Sequence, residues 1–381
     1  MGLIEALAPT HDVTVLARLL SRGEERYLRE LEAHGVRVVA TLPANRASAS
    51  ARVAYKLAYL TRAAMSRRSL RSLYDCPGST VRAARELARE SFDLVIIEYW
   101  QMYPLLDVFP RDRTVLLTHD IDSLVHRARA TIGRDAGTQL RAHTTWRREA
   151  REEAKAYRRA QRVWALTQRD ADEVSAIAGR RAEVLPLGLE SSAFHGELEP
   201  RASREVLLVG AMHSAFNRDA AVHFVRDIHP AIASLPGLRV TMVGGDLPPE
   251  IAGFAAMPGV EIPGHASDIG PYLRRAACMV VPLRFAGGIR IRILYAMAAG
   301  LPVVCSPVAV EGMGLKPGGD VLVATTPDEY RSHIQRLFDN PSYGLQIAHA
   351  SREKVWNLHG PAVRGPGLRA FVGRAMSEKR S

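Results

Sequence analysis

No apolar run in these 381 residues approaches the roughly 20 residues needed to cross a bilayer. No signal-like segment is read at the start, so a cytoplasmic protein is expected, meeting a membrane only peripherally at its inner face. Cysteine is scarce. Cys76, Cys278 and Cys305 are scattered without metal-ligand spacing and read as reduced thiols, not as disulfides or zinc ligands. Aromatic residues make up only 6%, and no basic stripe carries them between its cations, which argues against nucleic acid as a partner. No internal repeat or low-complexity segment is found. Positive charge, in contrast, is plentiful. The formal balance is +11, nearly all of it arginine, divided about evenly between the first 200 residues and the rest. Such a balance suits anionic substrates or an anionic membrane surface. One local candidate is LAYLTRAAMSRRSLRSL (residues 57–73). It reads as an amphipathic helix, with Arg62, Arg67, Arg68 and Arg71 around Leu57, Leu60, Met65, Leu70 and Leu73. It would lie on a membrane surface or pack on its own domain with a solvated basic face.

A chain of this length suggests two domains, and 47% hydrophobic residues can fill two cores. The pattern alternates short apolar strands with helices. In the first half strands are expected at residues 13–17, 36–42, 94–98, 114–118, 163–166 and 182–185, with a charged helix at 141–159. Around Pro186, Gly188, Gly196 and Pro200 the pattern pauses, as a linker does. It restarts with strands at 205–209, 239–243, 260–263, 278–282, 302–305 and 321–324, and a helical stretch at 217–235 broken by Pro230. This alternation argues for an α/β protein built on mostly parallel sheets. The expected division is a first domain at 1–187, a linker at 188–204, a second domain at 205–345 and a helical tail at 346–381 that crosses back to the first. Two doubly wound sheets in tandem would leave a cleft at the carboxyl ends of their strands.

The most informative stretch is CMVVPLRFAGGIRIRILYAMAAGLPVVC (residues 278–305). It predicts a strand, a glycine-bearing loop, a short helix opened by Gly287-Gly288, then Gly300 and a second strand. Arg290 and Arg292 fall in the helix's first turn. Backbone N–H groups at a helix start, the positive end of its dipole and two guanidiniums together make a site for a phosphate or diphosphate. The plainer alternative is an ordinary βαβ crossover with exposed arginines.

An ordered series of motifs surrounds this stretch: LLVGAMHSAFNRDAAVHFV, VTMVGGDLP, GVEIPGHASDIGPYLRRAACMVVPL, GGIRIRILYAMAAGLPVVCSPVAVEGM and GGDVLVA. The series resembles the donor-binding domain of the GT-B glycosyltransferases, in particular the retaining group called family 4. The likeness covers about residues 90–360 and is strongest over 207–324. It implies two Rossmann-like doubly wound domains facing a cleft. It also implies transfer of a sugar, without a metal or other cofactor, from a nucleotide-diphosphate donor to a hydroxyl of a glycan, a lipid-linked sugar or a small-molecule natural product. On this basis Gly287, Gly288, Ile289, Arg290 and Arg292 would meet the diphosphate and sugar, where pre-placed positive groups stabilise the departing charge. Gly210 would bring the backbone of the 211–217 loop close to the phosphates, with Asn217 as a polar contact or a helix cap. Gly264, His265 and Asp268 would form the nucleobase loop, or a plain surface turn. His119 would contact the donor sugar. Asp120 and Asp122 are weaker candidates, which would otherwise only cap the next helix, and Glu98 and Tyr99 would line the acceptor side. The segment Pro186 to Glu190 resembles the family's hinge.

The chain departs from the family pattern in two places. Tyr295 stands where the family has a glutamate that bonds the ribose hydroxyls, and a phenol offers one such bond without the charge. The chain also opens at what resembles the family's first helix, so that either the recorded start is late or the first strand is absent. These departures keep open a catalytically silent GT-B module that serves as partner or scaffold. A nucleotide-sugar epimerase is disfavoured, because no acid–base set around a sugar can be placed.

Overall fold

In the computed structural model the described residues are 2–19, 24–41, 69–132, 136–194, 196–212, 214–245 and 247–378. They divide into two compact units. One comprises Met1–Leu187 with Arg364–Ser381, the other Gly188–Val363. Residues 188–204, expected to form a linker, therefore belong to the second unit, as does the helix Pro341–His359. The returning segment is shorter than the expected tail and begins at Arg364.

Among its described residues the first unit carries two parallel sheets. Strands β1 (Thr14–Arg18) and β2 (Arg37–Thr41) pair with each other. Strands β3 (Val95–Glu98), β4 (Thr114–Thr118), β5 (Arg162–Ala165) and β6 (Glu183–Val184) follow in chain order. Every residue of β4 is buried, as a continuous apolar run requires in a parallel sheet covered on both faces. Leu116, Ile97, Val163 and Ala165 join Trp100, Tyr157 and Val174 in one core. The helix Leu368–Ser377 also belongs here: Phe371 meets Trp164 edge-on at 4.9 Å, and Arg162 donates to the Ala375 carbonyl at 2.6 Å.

The second unit is a six-stranded sheet, all of its pairings parallel. Its strands are β7 (Glu205–Val209), β8 (Arg239–Val243), β9 (Val260–Gly264), β10 (Cys278–Val281), β11 (Val303–Cys305) and β12 (Leu322–Val323). The order β12-β11-β10-β7-β8-β9 runs outward from β7 to β9, then returns to place β10 on the other side of β7. That reversal is a topological switch point, where the crossovers leave in opposite directions and a crevice opens at the carboxyl ends of β7 and β10. The stretch 217–235 is a helix over Ala215–His223, a π turn over Phe224–Ile228 and a last turn His229–Ile232. Pro230, which has no N–H to donate, explains the break.

Two expectations need correction here. The helix after the glycine loop begins at Ile291, with Arg290 as its cap residue, so the glycines lie in the preceding loop instead of opening the helix. Residues 57–68 of the expected basic helix lie outside the described residues. Of its cations, Arg71 sits in a helix spanning Leu70–Asp75 and pairs with Asp122 at 3.0 Å and Asp75 at 3.8 Å. It is engaged inside the unit, not offered to a membrane.

Candidate functional site

At the switch point of the second unit, β7 ends on Gly210. A Cβ built there would lie 2.8 Å from the Arg292 guanidinium and 3.0 Å from Asn217. Gly244, at the end of β8, is tighter still, since its Cβ would stand 2.0 Å from the Gly210 carbonyl oxygen. Gly244 is thus required by the close approach of backbone at the mouth of the sheet, while a side chain at Gly210 would displace the Arg292 guanidinium. Arg292 donates to the Val209 carbonyl at 2.8 Å and to Asn217 Oδ1 at 2.5 Å. Asn217 Nδ2 in turn holds the Ala211 carbonyl at 3.0 Å. Asn217 lies inside the first turn of its helix, after the cap residue Ser214, so it is a strut between Arg292 and the 211 turn and not a cap. Gly210, Asn217, Val281, Pro282 and Arg292 line a small cavity here.

Neither arginine is exposed, contrary to the plainer alternative. Arg290 is buried, and its guanidinium donates to the carbonyls of Gly288, Ala309 and Glu311. Arg292 is half-buried. Its Nε is buried and finds no hydrogen-bond partner among the described residues. Burial, with repulsion from Arg290 behind it, lowers the Arg292 pKa to about 10. The oxygens it does meet are neutral, so this cation is under-compensated where two strands end. Gly288 adopts φ 60°, the left-handed region glycine tolerates, while Gly287 and Ile289 are half-buried beside it.

Tyr295 points its hydroxyl at the carboxylate of Glu190, donating at 2.9 and 3.0 Å. Burial and this carboxylate raise the phenol's pKa. Glu190 belongs to the hinge-like segment named from sequence, but its partner was not foreseen, because 105 residues separate them. The only sequence signal was the tyrosine standing where a glutamate was expected. Gly264 closes β9 at φ 80° and accepts from the Gly244 N–H at 2.8 Å. His265 and Asp268 are exposed; Asp268 takes the Gly270 N–H at 2.8 Å, and both line an open groove with Tyr272 and Arg275.

In the first unit, β3 and β4 bring Glu98, Tyr99, His119 and Asp120 together at their carboxyl ends. The Tyr99 and His119 rings stack at 4.3 Å and 17°. Glu98 Oε2 is 3.5 Å from His119 Nε2, an ion-pair distance beyond good hydrogen-bond length. The histidine draws the Glu98 carboxyl below its usual pKa range. Tyr99 has φ 68° and ψ 134° and is the one non-glycine residue with positive φ among the described residues, a strain of about 1–3 kcal/mol. Its half-exposed phenol is raised in pKa, first by burial and then by Glu98 and Asp120. Among the described residues the Asp122 carboxylate takes no backbone N–H of its helix. It accepts from Trp100 Nε1 at 2.7 Å and Gln101 Nε2 at 2.8 Å. The cap of the helix Asp122–Ile132 is Glu153, whose carboxylate takes the Asp122 and Ser123 N–H groups, each at 2.9 Å. Tyr157 donates to the same carboxylate and meets Thr118 Oγ1 at 2.9 Å, while Thr118 holds the Asp120 carbonyl. Burial pushes the Glu153 pKa up to about 7.

Residues 203–340 match the family model described as glycosyl transferases group 1. No curated protein matches the chain by sequence. Among solved structures, HepE of Anabaena, determined in complex with UDP-glucose, is similar at TM-score 0.68 and 15% identity, over 98% of this chain and 95% of that one. Sucrose-phosphate synthase of Thermosynechococcus elongatus follows at TM-score 0.66 and 16% identity, over 98% of each chain. TarM, known from S. aureus, gives TM-score 0.60 and 11% identity over 78% of this chain, which spans 58% of TarM's length. The switch point, Asn217, the glycine loop, Arg290, Arg292 and Tyr295 all fall within the matched segment. Residues 203–340 are therefore similar to a glycosyl transferases group 1 domain, in an α/β protein of two Rossmann-like units with the GT-B fold.

Proposed function

We propose that this protein is a retaining glycosyltransferase of the family 4 type, moving a sugar, a hexose by class, from a nucleotide-diphosphate donor to an acceptor hydroxyl without a metal. The observation that carries the reading is Arg292, a partly buried cation with a buried, unpartnered Nε, held by neutral oxygens at the switch point of a domain of this family. A diphosphate supplies the counter-charge that Arg292 lacks. Charge that grows on the leaving group is then met by a group fixed before the reaction. Arg290 braces the glycine loop through its three carbonyl contacts, so that Gly287, Gly288 and Ile289 present backbone to the phosphates. Glu190, held by Tyr295, supplies the carboxylate for the ribose hydroxyls that Tyr295 lacks. The loop with Gly264, His265 and Asp268 takes the nucleobase. His119 contacts the donor sugar, and Glu98, Tyr99 and Asp120 border the acceptor. The acceptor is a glycan, a lipid-linked sugar or a small natural product. The setting is the cytoplasm, with a peripheral contact to an anionic membrane surface favoured by the +11 charge; among the described residues no helix is long and apolar enough to cross a membrane.

The test is a thermal-shift screen of UDP, GDP, ADP and dTDP, followed by turnover with the corresponding sugar nucleotides. A true ligand at a hundred times its Kd adds about 2.7 kcal/mol. Arg292→Ala should erase the shift, and the product should keep the donor's anomeric configuration. If no nucleotide shifts the melt and no donor turns over, the second reading stands: a catalytically silent module acting with another enzyme. That reading draws on the internal carbonyl bonds of Arg290 and on Tyr295.

A further inference from the structure

The one strained non-glycine backbone among the described residues sits beside His119. Its strain is over-determined from both sides. The Tyr99 N–H is fixed to the Leu117 carbonyl at 2.9 Å, as β3 pairs with β4, and the Tyr99 carbonyl accepts from the Met102 N–H at 3.1 Å. The next residue, Trp100, is 1% exposed and anchored through its indole N–H to Asp122. Strain that surrounding structure enforces, next to titratable groups at the end of a strand, points to a purpose at that residue. What the unusual φ accomplishes here is visible in the rings. It turns the phenol flat against the imidazole at 4.3 Å and 17°, and Glu98, the residue before it, approaches the imidazole's Nε2 edge.

We propose that Tyr99 is a positioning residue for His119: its enforced left-handed backbone seats the phenol ring as a wall that fixes the plane of the imidazole for the group it meets. The proposal rests on the reading of His119 as the donor-sugar contact, and it replaces an acceptor role for Tyr99 by one exerted through its neighbour. The stack needs the ring and not the hydroxyl. A dispersion and quadrupole contact between flat rings survives loss of the phenol oxygen but not loss of the ring.

The experiment compares the natural chain with Tyr99→Phe and Tyr99→Gly by proton–carbon NMR of the histidine rings, with His119 assigned from His119→Asn. The His119 ring proton signals should be shifted upfield by the Tyr99 ring current in the natural chain and in Tyr99→Phe, and should return toward their unstacked position in Tyr99→Gly. Glycine accepts φ 68° freely, so the melting temperature of Tyr99→Gly should not fall. With a donor that turns over, Tyr99→Gly should lose about tenfold or more in kcat through a misplaced contact, with little change in the donor KM, and Tyr99→Phe should recover most of that loss. An unshifted His119 ring in the natural chain overturns the proposal without any variant. So does full kcat in Tyr99→Gly. Full turnover by His119→Asn would instead overturn the reading of His119 itself while leaving the ring-shift result standing, so the two failures are told apart.

Discussion

Single side chains decide most of the chemistry here, and Glu153 is the one with the clearest consequence. It lies 1% exposed, caps a helix with both oxygens and has its pKa raised to about 7 by burial. A carboxyl whose folded pKa lies above its unfolded value contributes stability fully present below the unfolded value, near pH 4.5, and lost as pH rises through about 7. The loss is at most about 3 kcal/mol. Melting curves from about pH 4.5 to about pH 7 should therefore show the natural chain losing more stability than Glu153→Gln across that window. Parallel slopes for the two proteins would show that Glu153 does not titrate there. Arg290 and Arg292 give the opposite lesson. Their type and spacing were legible in the sequence, but their partners were not, because carbonyls of residues 209, 309 and 311 become neighbours only through the βαβ crossovers. Glu190 with Tyr295, and Glu153 with residues 122 and 123, escaped sequence reading for the same reason.

Elements fared better, because period and burial are local properties. Every strand expected in the second half is present within one or two residues, since runs such as VLLV and CMVV are apolar on both faces and can only be buried strands. The helix start at 291 was misplaced because Gly287-Gly288 signals a turn as readily as a helix opening, and Gly288 takes the left-handed turn conformation. The last helix, Leu368–Ser377, lies inside the helical tail expected at 346–381. Its Phe371 packs edge-on against Trp164, which is fully buried in β5. Truncation to alanine would leave a cavity under that indole. Phe371→Ala should thus cost about 3 kcal/mol or more, with a red-shifted tryptophan emission at lower denaturant than in the natural chain. An unchanged unfolding midpoint would mean that the helix contributes little to its unit.

At the scale of the molecule, the chain forms its first unit, departs into the second and comes back at Arg364. The second unit thus interrupts the first in sequence, as an inserted domain does. A pause rich in proline and glycine marked the departure, but nothing in composition marked the return, because both sides of it are helical. The outgoing and homecoming stretches of the second unit are fastened together: the Leu189 N–H donates to the His359 carbonyl at 2.6 Å. Its core of Val206, Phe224, Met242, Val280 and Ile334 draws only on residues inside that span. Residues 188–363, produced alone, should therefore melt cooperatively and give the same nucleotide thermal shift as the whole chain. A non-cooperative melt would show that it leans on the other unit. A module closed at its own doorstep in this way is portable. On the proposed function it could be exchanged between chains as a cassette, with the nucleotide preference travelling with it.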